Sequence, residues 1–538
     1  MRYDWTSLIY KVRNMREGRV KRNFSKDWLS LLSIVPLIFS IRPRSFMAHD
    51  EGYYILQARA ILDSGNWLAP MSWGAPVFDR TIGAQWIIAS SQKIFGYTSW
   101  SSHIPSLIFG LISLCLTYLL SKRYFGVQVA SISAAILFLS PIFLDHIHLA
   151  TQDIPLLAIE LVGIYSITKA EKEKPGVFHV ISGMWMGIGF LIKGFMIFLP
   201  AIAIVPFVLW RKRYLLASRL FLIGFVAGWL PAFAWIAFSI NEYGYTVVSN
   251  LFNKLLYLSG ENIFAKGPFY YMWNIPLFTL PWFIFAIHPF VYGIRNWRDD
   301  RLFVFIGYPL LLAFLLSCFK TKTTYYGLQL TPYISILAAY SAVLLTTHHA
   351  VRRRVIGFIK ILGICLFLGA VTLLLTRLNS LLVVDTNIFV LILLVLLTLS
   401  ITWILLDWRE SGYRIFVRLI LCQWVVMVAL TQGGLLTDRN PLIRNALSSN
   451  YDVMQIVKDQ RVSFVKTSSG LEASDSKKRI LIALAMKNLN HSLISNEGMS
   501  EGDLAWINER DIHLLPPGDL SVLYSNDDLL PWVLVAKN

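Results

Sequence analysis

The sequence predicts an all-helical polytopic membrane protein with a small C-terminal α/β domain, and three observations lead there. The first is composition: 56% hydrophobic and 14% aromatic residues, a mean hydropathy of +0.56, and 15% charged residues, where soluble chains carry about 25%. The second is a succession of apolar runs, most of them long enough to cross a hydrocarbon layer about 30 Å thick. The third is the placement of charge. The net charge is +17, yet residues 440–538 hold ten basic and twelve acidic residues. The basic excess therefore lies wholly in residues 1–439, mostly in short loops between apolar runs. Such a pattern belongs to membrane topology and excludes a nucleic-acid footprint.

Hydropathy places thirteen spans: 28–41, 101–121, 126–143, 147–168, 177–191, 194–210, 217–240, 272–293, 301–319, 327–346, 355–377, 382–406 and 413–433. The first follows a basic stretch too long for a cleaved signal peptide, so it is expected to be retained. With residues 1–27 as a cytoplasmic tail, the cytoplasmic loops are Lys122-Arg123, Lys169–Lys174, Arg211-Lys212-Arg213, Arg295–Arg301, Arg352-Arg353-Arg354 and Arg409–Arg414. All are short and basic, as the positive-inside rule requires. The opposite loops, 42–100, 241–271 and 319–326, are sparser in Lys and Arg. This divides the chain into a transmembrane domain, 28–438, and an extracytoplasmic C-terminal domain, 439–538, in a plasma or inner membrane. The cysteines Cys115, Cys318, Cys365 and Cys422 lie in or beside apolar runs, which excludes a disulfide framework and a Cys-based metal site.

Loop 42–100 is too long for a plain connector. Asp50–Asp63 reads as an amphipathic helix with Ile55, Leu56, Ala58, Ile61 and Leu62 on one side and Gly65 as its stop. Trp67, Trp73 and Trp86 suit an interfacial belt, so the loop is expected on the membrane surface. In the tail, Arg461–Lys466, Arg479–Met486 and Val522–Tyr524 read as strands with helical stretches between them.

A series of short motifs runs through the first spans: His49-Asp50-Glu51-Gly52-Tyr53-Tyr54, Gly65-Asn66-Trp67 with Pro70, Phe78-Asp79-Arg80, Phe95-Gly96, Pro105-Ser106 with Gly110, and Ala150-Thr151-Gln152-Asp153. Leu191-Ile192-Lys193-Gly194 with Pro200, Gly267-Pro268-Phe269-Tyr270-Tyr271 with Pro281-Trp282, and Tyr325-Tyr326 with Pro332 complete it. Over roughly residues 28–340 the chain resembles the aminoarabinose-transferase-like branch of the protein O-mannosyltransferase superfamily. The resemblance implies a C-type glycosyltransferase fold and a membrane enzyme that uses polyprenyl-phosphate sugars. Two departures stand out. Asp79-Arg80-Thr81 replaces the family's acid-Lys-Pro, and a planar guanidinium is not equivalent to an ammonium. Ala265-Lys266 stands where many relatives carry a His, so a divalent metal site of that kind is not expected and no cofactor is assigned.

Displacing a sugar from a lipid phosphate calls for a carboxylate where the acceptor oxygen needs a base, and for fixed positive charge at the departing phosphate. The exported side offers the acids Asp50, Glu51, Asp79 and Asp153 and the cations Arg80, Lys193, Lys266, Lys320 and Lys322. The resemblance makes Asp50 the first catalytic candidate. Arg80 and Lys193 would then hold the donor phosphate, Asp153, the second catalytic candidate, and Asp79 would organise the site, and Lys320 and Lys322 would join the substrate-binding set only where Tyr325 and Tyr326 order them. The neighbouring Asp50 and Glu51 point different ways, so that one acts while the other braces. Each candidate has a plain alternative. Asp50 suits an N-cap, Asp153 a structural hydrogen bond, and Lys193 a snorkelling position, while Lys320 and Lys322 suit solvated loop charges. His103, His146, His148 and His288 read as satisfied polar residues rather than ligands. The expected partners are a polyprenyl-phosphate-linked sugar, a lipid, glycan or protein acceptor, and membrane lipids. A transporter of lipid-linked sugars is the rival; it should show inverted repeats and charges at the bilayer midplane, and the acids here cluster towards one face. A membrane scaffold would leave the acids of loop 42–100 unexplained.

Overall fold

In an apolar layer every backbone N–H and C=O has to be paired within its own segment, so the apolar runs fold as helices. The computed structural model describes residues 34–39, 44–260, 264–295, 303–378, 385–449, 455, 457, 460–467, 471–495, 498–514 and 520–537. The expected tail 1–27, most of the run 28–41 and most of the loop Arg295–Arg301 lie outside them. Two short helices occupy loop 42–100, α1 (Tyr53–Ser64) and α2 (Gly83–Phe95), joined through the small hairpin β1 (Met71–Ser72) and β2 (Ala75–Pro76). The apolar helices follow: α3 (Ser99–Phe125), α4 (Val127–Phe138), α5 (Pro141–Ile147), α6 (Asp153–Lys169), α7 (Val177–Lys193), α8 (Phe198–Arg211), α9 (Arg219–Tyr243), α10 (Thr246–Ser259), α11 (Tyr270–Phe278), α12 (Trp282–Arg295), α13 (Tyr308–Cys318), α14 (Thr331–Thr347), α15 (His349–Leu378), α16 (Thr386–Ile404) and α17 (Gly412–Gln432).

Among the described residues seven helical stretches are long and apolar enough to cross a membrane, or eight if α4 and α5, bent by 65°, form one span. Val177–Arg211 counts there as one stretch of 35 residues. Such a length would be about 52 Å as a straight helix. The chain instead turns back after Lys193, where Gly194 takes φ +57°, and Ile197 comes to rest against Gly189. This turn places Lys193 between two helices.

Glycine fixes the tightest helix pair. A Cβ on Gly183, Gly187, Gly224 or Gly228 would meet backbone of the facing helix at 1.9–2.3 Å, so α7 and α9 are packed backbone to backbone. Gly224 faces Val180 and Gly228 faces Met184, so the two helices run parallel with one register. Small residues at four-residue spacing permit such an approach in a membrane, where packing and not water exclusion drives association.

The tail holds a five-stranded sheet in the order β4-β3-β5-β7-β6, from β3 (Val462–Val465), β4 (Leu489–Ile494), β5 (Leu504–Asn508), β6 (Leu520–Tyr524) and β7 (Trp532–Lys537). β3 pairs parallel with β4 and β5, and β7 pairs antiparallel with β5 and β6. Two expected strands match β3 and β6. The third, Arg479–Met486, is instead part of a helix over Ala473–Ala485, which follows α18 (Pro441–Ser449) and is labelled α19. Its apolar run Ile480–Ala485 suits a covered helix as well as a strand, and Asp475 in the first turn favours the helix.

Helix α19 lies on the 48–52 turn: a Cβ on Gly52 would meet Ile480 at 2.6 Å and Leu484 at 3.3 Å. The tail therefore covers the side of loop 42–100 that the amphipathic reading left open. On α1 even Gln57 and Arg59 are buried, and Arg59 donates to the Met486 carbonyl at 3.0 Å. Trp73 is not a free belt residue either. Its ring lies under Arg479 at 4.3 Å and meets Phe464 edge-on at 5.4 Å.

Candidate active site

The 48–52 turn divides the work of two adjacent acids. Glu51 is 1% exposed and both its oxygens are taken. Oε1 meets His103 Nε2 at 2.7 Å and accepts from the Ala150 N–H at 3.0 Å, while Oε2 accepts from the Met47 N–H at 2.7 Å. It braces the turn between α3 and the residues before α6, and no oxygen remains for a substrate. Asp50 points the other way, its side chain 38% exposed. Its backbone takes φ +59° and ψ −81°, a sparsely populated conformation that neighbouring structure has to hold. The helix begins at Tyr53 and not at Asp50, and its N-terminus has no side-chain cap. Capping therefore does not account for Asp50, whose carboxylate meets a cation.

That cation is Arg80. Its Nη1 lies 3.4 Å from Asp50 Oδ1 and its Nη2 3.1 Å from Asp79 Oδ2, and the guanidinium sits 5.0 Å over the Tyr54 ring. Burial raises the Tyr54 hydroxyl far above its ordinary pKa, so it faces Arg80 as a neutral ring. Burial alone would lower the guanidinium; the carboxylates of Asp79 and Asp50 oppose it, and Arg80 keeps its charge. Gly83 brings this group to the end of α7. A Cβ there would lie 2.5 Å from the Leu191 carbonyl oxygen, and Thr81 touches Gly194.

At that end Lys193 pairs with Asp153, each side chain 12% exposed. Asp153 sits in the first turn of α6 and Lys193 in the last turn of α7, so each charge complements its own helix dipole. The Lys193 ammonium lies 5.2 Å from the Tyr325 ring centroid and 5.3 Å from that of Tyr326. Both rings belong to a 3-10 segment, Thr324–Leu330, and stand edge to face at 5.0 Å. Asp50 and Asp153 are both within electrostatic reach of these tyrosines. Two acid–cation pairs thus meet in one place, assembled from the 48–52 turn, Asp79-Arg80, the start of α6, the end of α7 and the 3-10 segment.

The remaining candidates fall outside it. Lys322 donates to the carbonyls of Phe319 and Lys266, the latter at 3.2 Å. The Lys266 N–H donates to the Lys320 carbonyl at 3.0 Å, and Ala265 bridges Thr321. These lysines knit two loops together, with the Lys266 and Lys320 side chains exposed. Tyr325 and Tyr326 stand over the Lys193 ammonium instead. Two roles were not singled out in the sequence: Tyr54 under Arg80, and His103 as partner of Glu51. Among the described residues no three His, Cys, Asp or Glu converge to hold a metal ion.

Residues 79–238, which include Arg80, Asp153 and Lys193, match the family model described as dolichyl-phosphate-mannose-protein mannosyltransferase. Over 265 residues the chain is 27% identical to undecaprenyl phosphate-alpha-4-amino-4-deoxy-L-arabinose arabinosyl transferase 2 of Proteus mirabilis, covering 47% of each chain. Over 351 residues it is 25% identical to the corresponding transferase of Yersinia enterocolitica, covering 62% of each. The crystal structure of ArnT from Cupriavidus metallidurans bound to undecaprenyl phosphate superposes with a TM-score of 0.72 at 15% identity, covering 95% of this chain and 98% of that one. The chain is similar to the aminoarabinose-transferase-like branch of the protein O-mannosyltransferase superfamily. In sequence it spans about half the length of the first of these relatives. In fold the match with ArnT runs through nearly the whole chain, tail included, and places this protein among multi-pass helical membrane proteins.

Proposed function

We propose that this protein is an inverting glycosyltransferase that moves a monosaccharide from a polyprenyl-phosphate donor, such as an undecaprenyl-phosphate sugar, to a lipid, glycan or protein acceptor on the extracytoplasmic side. One observation carries the reading: two partly buried cations, Arg80 and Lys193, each paired with its own acid, stand together beside the more exposed carboxylate of Asp50. The acceptor oxygen attacks the anomeric carbon from the face opposite the phosphate. The carbon–oxygen bond to the phosphate breaks, its electron pair leaves with the phosphate, and Arg80 and Lys193 meet the charge that develops there. A hydroxyl acceptor gives its proton to Asp50; an acceptor that is already an anionic phosphate needs only orientation. Asp79 and Asp153 hold the two cations in place. The relatives are named as transferases of an undecaprenyl-phosphate sugar, which supports this donor class.

The same reading carries a topology: thirteen spans, a cytoplasmic N-terminus, and loop 42–100 and the tail 439–538 on the exported side, in a plasma or inner membrane. The test is reconstitution of the full chain in vesicles with a polyprenyl-phosphate sugar and extracted envelope acceptors, followed by mass spectrometry. A glycosyltransferase releases polyprenyl phosphate and adds one sugar mass to an acceptor. Passage of intact donor across the bilayer with no release would instead establish the transporter.

A further inference from the structure

A cavity of about 590 Å³ opens where the parallel helices α7 and α9 begin, at the end of the pair away from Lys193. From His179 to Lys193 is about 21 Å along α7. The wall is built from Lys172 and Pro175 before α7, His179 in its first turn, and Ser218, Arg219 and Leu220 at the start of α9. It holds no carboxylate; Glu171 and Glu173 belong to the same loop but lie outside the wall. The neighbouring polar groups are spent elsewhere. The Tyr214 hydroxyl donates to the Ala170 carbonyl at 2.7 Å, and Lys212 to the same carbonyl at 2.6 Å. What remains open on the cavity is all donor or cation. His179 is 2% exposed. Its Nδ1 accepts from the Gly176 N–H at 3.4 Å, which leaves the ring proton on Nε2. Nε2 has no hydrogen-bond partner among the described residues, and a buried donor is costly to leave unpaired. Among those residues Lys172 and Arg219 form no ion pair either. Gly176 has no side chain to cap α7, and Ser218 does not cap α9, so two positive helix ends face the same space. Around the mouth the surface is apolar: Val177, Leu216, Leu222 and Ile223 are all exposed, and Pro175 and Leu220 carry that surface inward.

We propose that this cavity binds the phosphate headgroup of an anionic phospholipid, in the leaflet at the far end of α7 from the Asp50 site. Arg219 and Lys172 meet the lipid's charge, and the His179 Nε2–H and the start of α9 donate to its phosphate oxygens. The acyl chains leave across Leu220 and the exposed Leu222 and Ile223. A water-soluble anion would use the cations and leave that apolar rim without a partner; a lipid uses both. Basic pockets between helix ends are suited to such headgroups. Nothing in this site depends on the sugar-transfer reading.

The test titrates the full chain in detergent with dioleoyl phosphatidylglycerol, dioleoyl phosphatidylcholine and inorganic phosphate as separate probes. Native mass spectrometry reads bound lipid, and the melting temperature reads its effect on the fold. Phosphatidylglycerol should bind roughly tenfold or more tightly than phosphatidylcholine, and should raise the melting temperature with concentration. Arg219→Gln and Lys172→Gln should each weaken phosphatidylglycerol about fivefold, and Arg219→Lys should recover most of that loss. His179→Phe keeps a ring and removes the donor, and should also cost about fivefold. Arg213→Gln removes a charge from the same end of the bundle but outside the wall, and should stay within about twofold. Equal binding of the two lipids overturns the proposal, as does a loss in Arg213→Gln as large as that in Arg219→Gln, which would mean a diffuse basic surface. Inorganic phosphate that binds while neither lipid does overturns the lipid as occupant. Should His179→Phe fail to fold, Arg219→Gln set against Arg213→Gln decides the matter, because both side chains are exposed.

Discussion

Two neighbouring acids, Asp50 and Glu51, differ in role because one is surrounded and the other is not. Asn tolerates positive φ much as Asp does, so Asp50→Asn should keep the 48–52 turn and insert and melt like the parent. It removes the carboxylate, and a positioned base contributes about 10²–10⁴-fold in rate. Transfer to a hydroxyl acceptor should therefore fall at least roughly a hundredfold, measured as polyprenyl phosphate released. Glu51→Gln behaves differently. It leaves a buried amide facing the Met47 and Ala150 N–H groups, so it should lose stability first, by about 1–3 kcal/mol in detergent melts. For the cations, Arg80→Ala and Lys193→Ala should each weaken donor use by about 1.5–3 kcal/mol, seen in donor KM or kcat/KM with acceptor dependence unchanged. Normal donor kinetics in both would remove them from the site. The partition between Asp50 and Glu51 could be guessed from their opposite directions, but not its sense. Glu51's partners, His103 and the Ala150 N–H, lie 52 and 99 residues away, and no local pattern announces them.

At the level of elements, the glycine seam between α7 and α9 sets where Lys193 stands, because the end of α7 can move only with its partner. A methyl group at Gly228 would press on the Met184 carbonyl at 2.2 Å. Gly228→Ala should cost about 1–3 kcal/mol as the helices separate. Gly357→Ala and Gly369→Ala on α15, where a Cβ would have open space, should leave the melt unchanged. Most of the apolar helices were legible from hydropathy alone, since twenty apolar residues leave the backbone no alternative to a helix. Helix α19 was not. Arg479-Ile480-Leu481-Ile482 has the β-branched, apolar character of a strand, and only its packing on Gly52 and against the sheet decides for a helix. Loop 42–100 was legible as short helices but not as a buried layer, because what buries it is distant in sequence.

Across the whole molecule, the tail is joined to the membrane domain through α1. His491 Nε2 meets Asp63 Oδ2 at 2.8 Å, and the Tyr97 hydroxyl donates to Asp63 Oδ1 at 2.6 Å. Burial would raise the Asp63 pKa; the bonds from His491 and Tyr97 outweigh it and hold it below the ordinary 3.8. A lowered carboxylate pKa stabilises the folded form above its unfolded value, and the contribution is lost as pH falls through the lowered one. Asp63→Asn should therefore melt below the parent at pH 7, and the difference should close below pH 3.8. A gap that persists in acid would mean that the ion pair contributes nothing. Sidedness is a separate test: in a Cys-free form, single cysteines near residues 50 and 260 should react with an impermeant reagent from outside, and one near 212 only after permeabilisation. Labelling near 50 from the cytoplasm alone would overturn the topology and the chemistry together.

The contact between Ile480 and Gly52 also bears on the order in which the protein is made. Synthesis runs from the N-terminus, so the turn bearing Asp50 emerges long before α19, the helix that lies across it. A chain inserted as far as its last apolar helix has every charged residue of the site and still lacks the lid on its strained turn. The turn that carries Asp50 therefore takes its final packing late, when the tail folds back onto it.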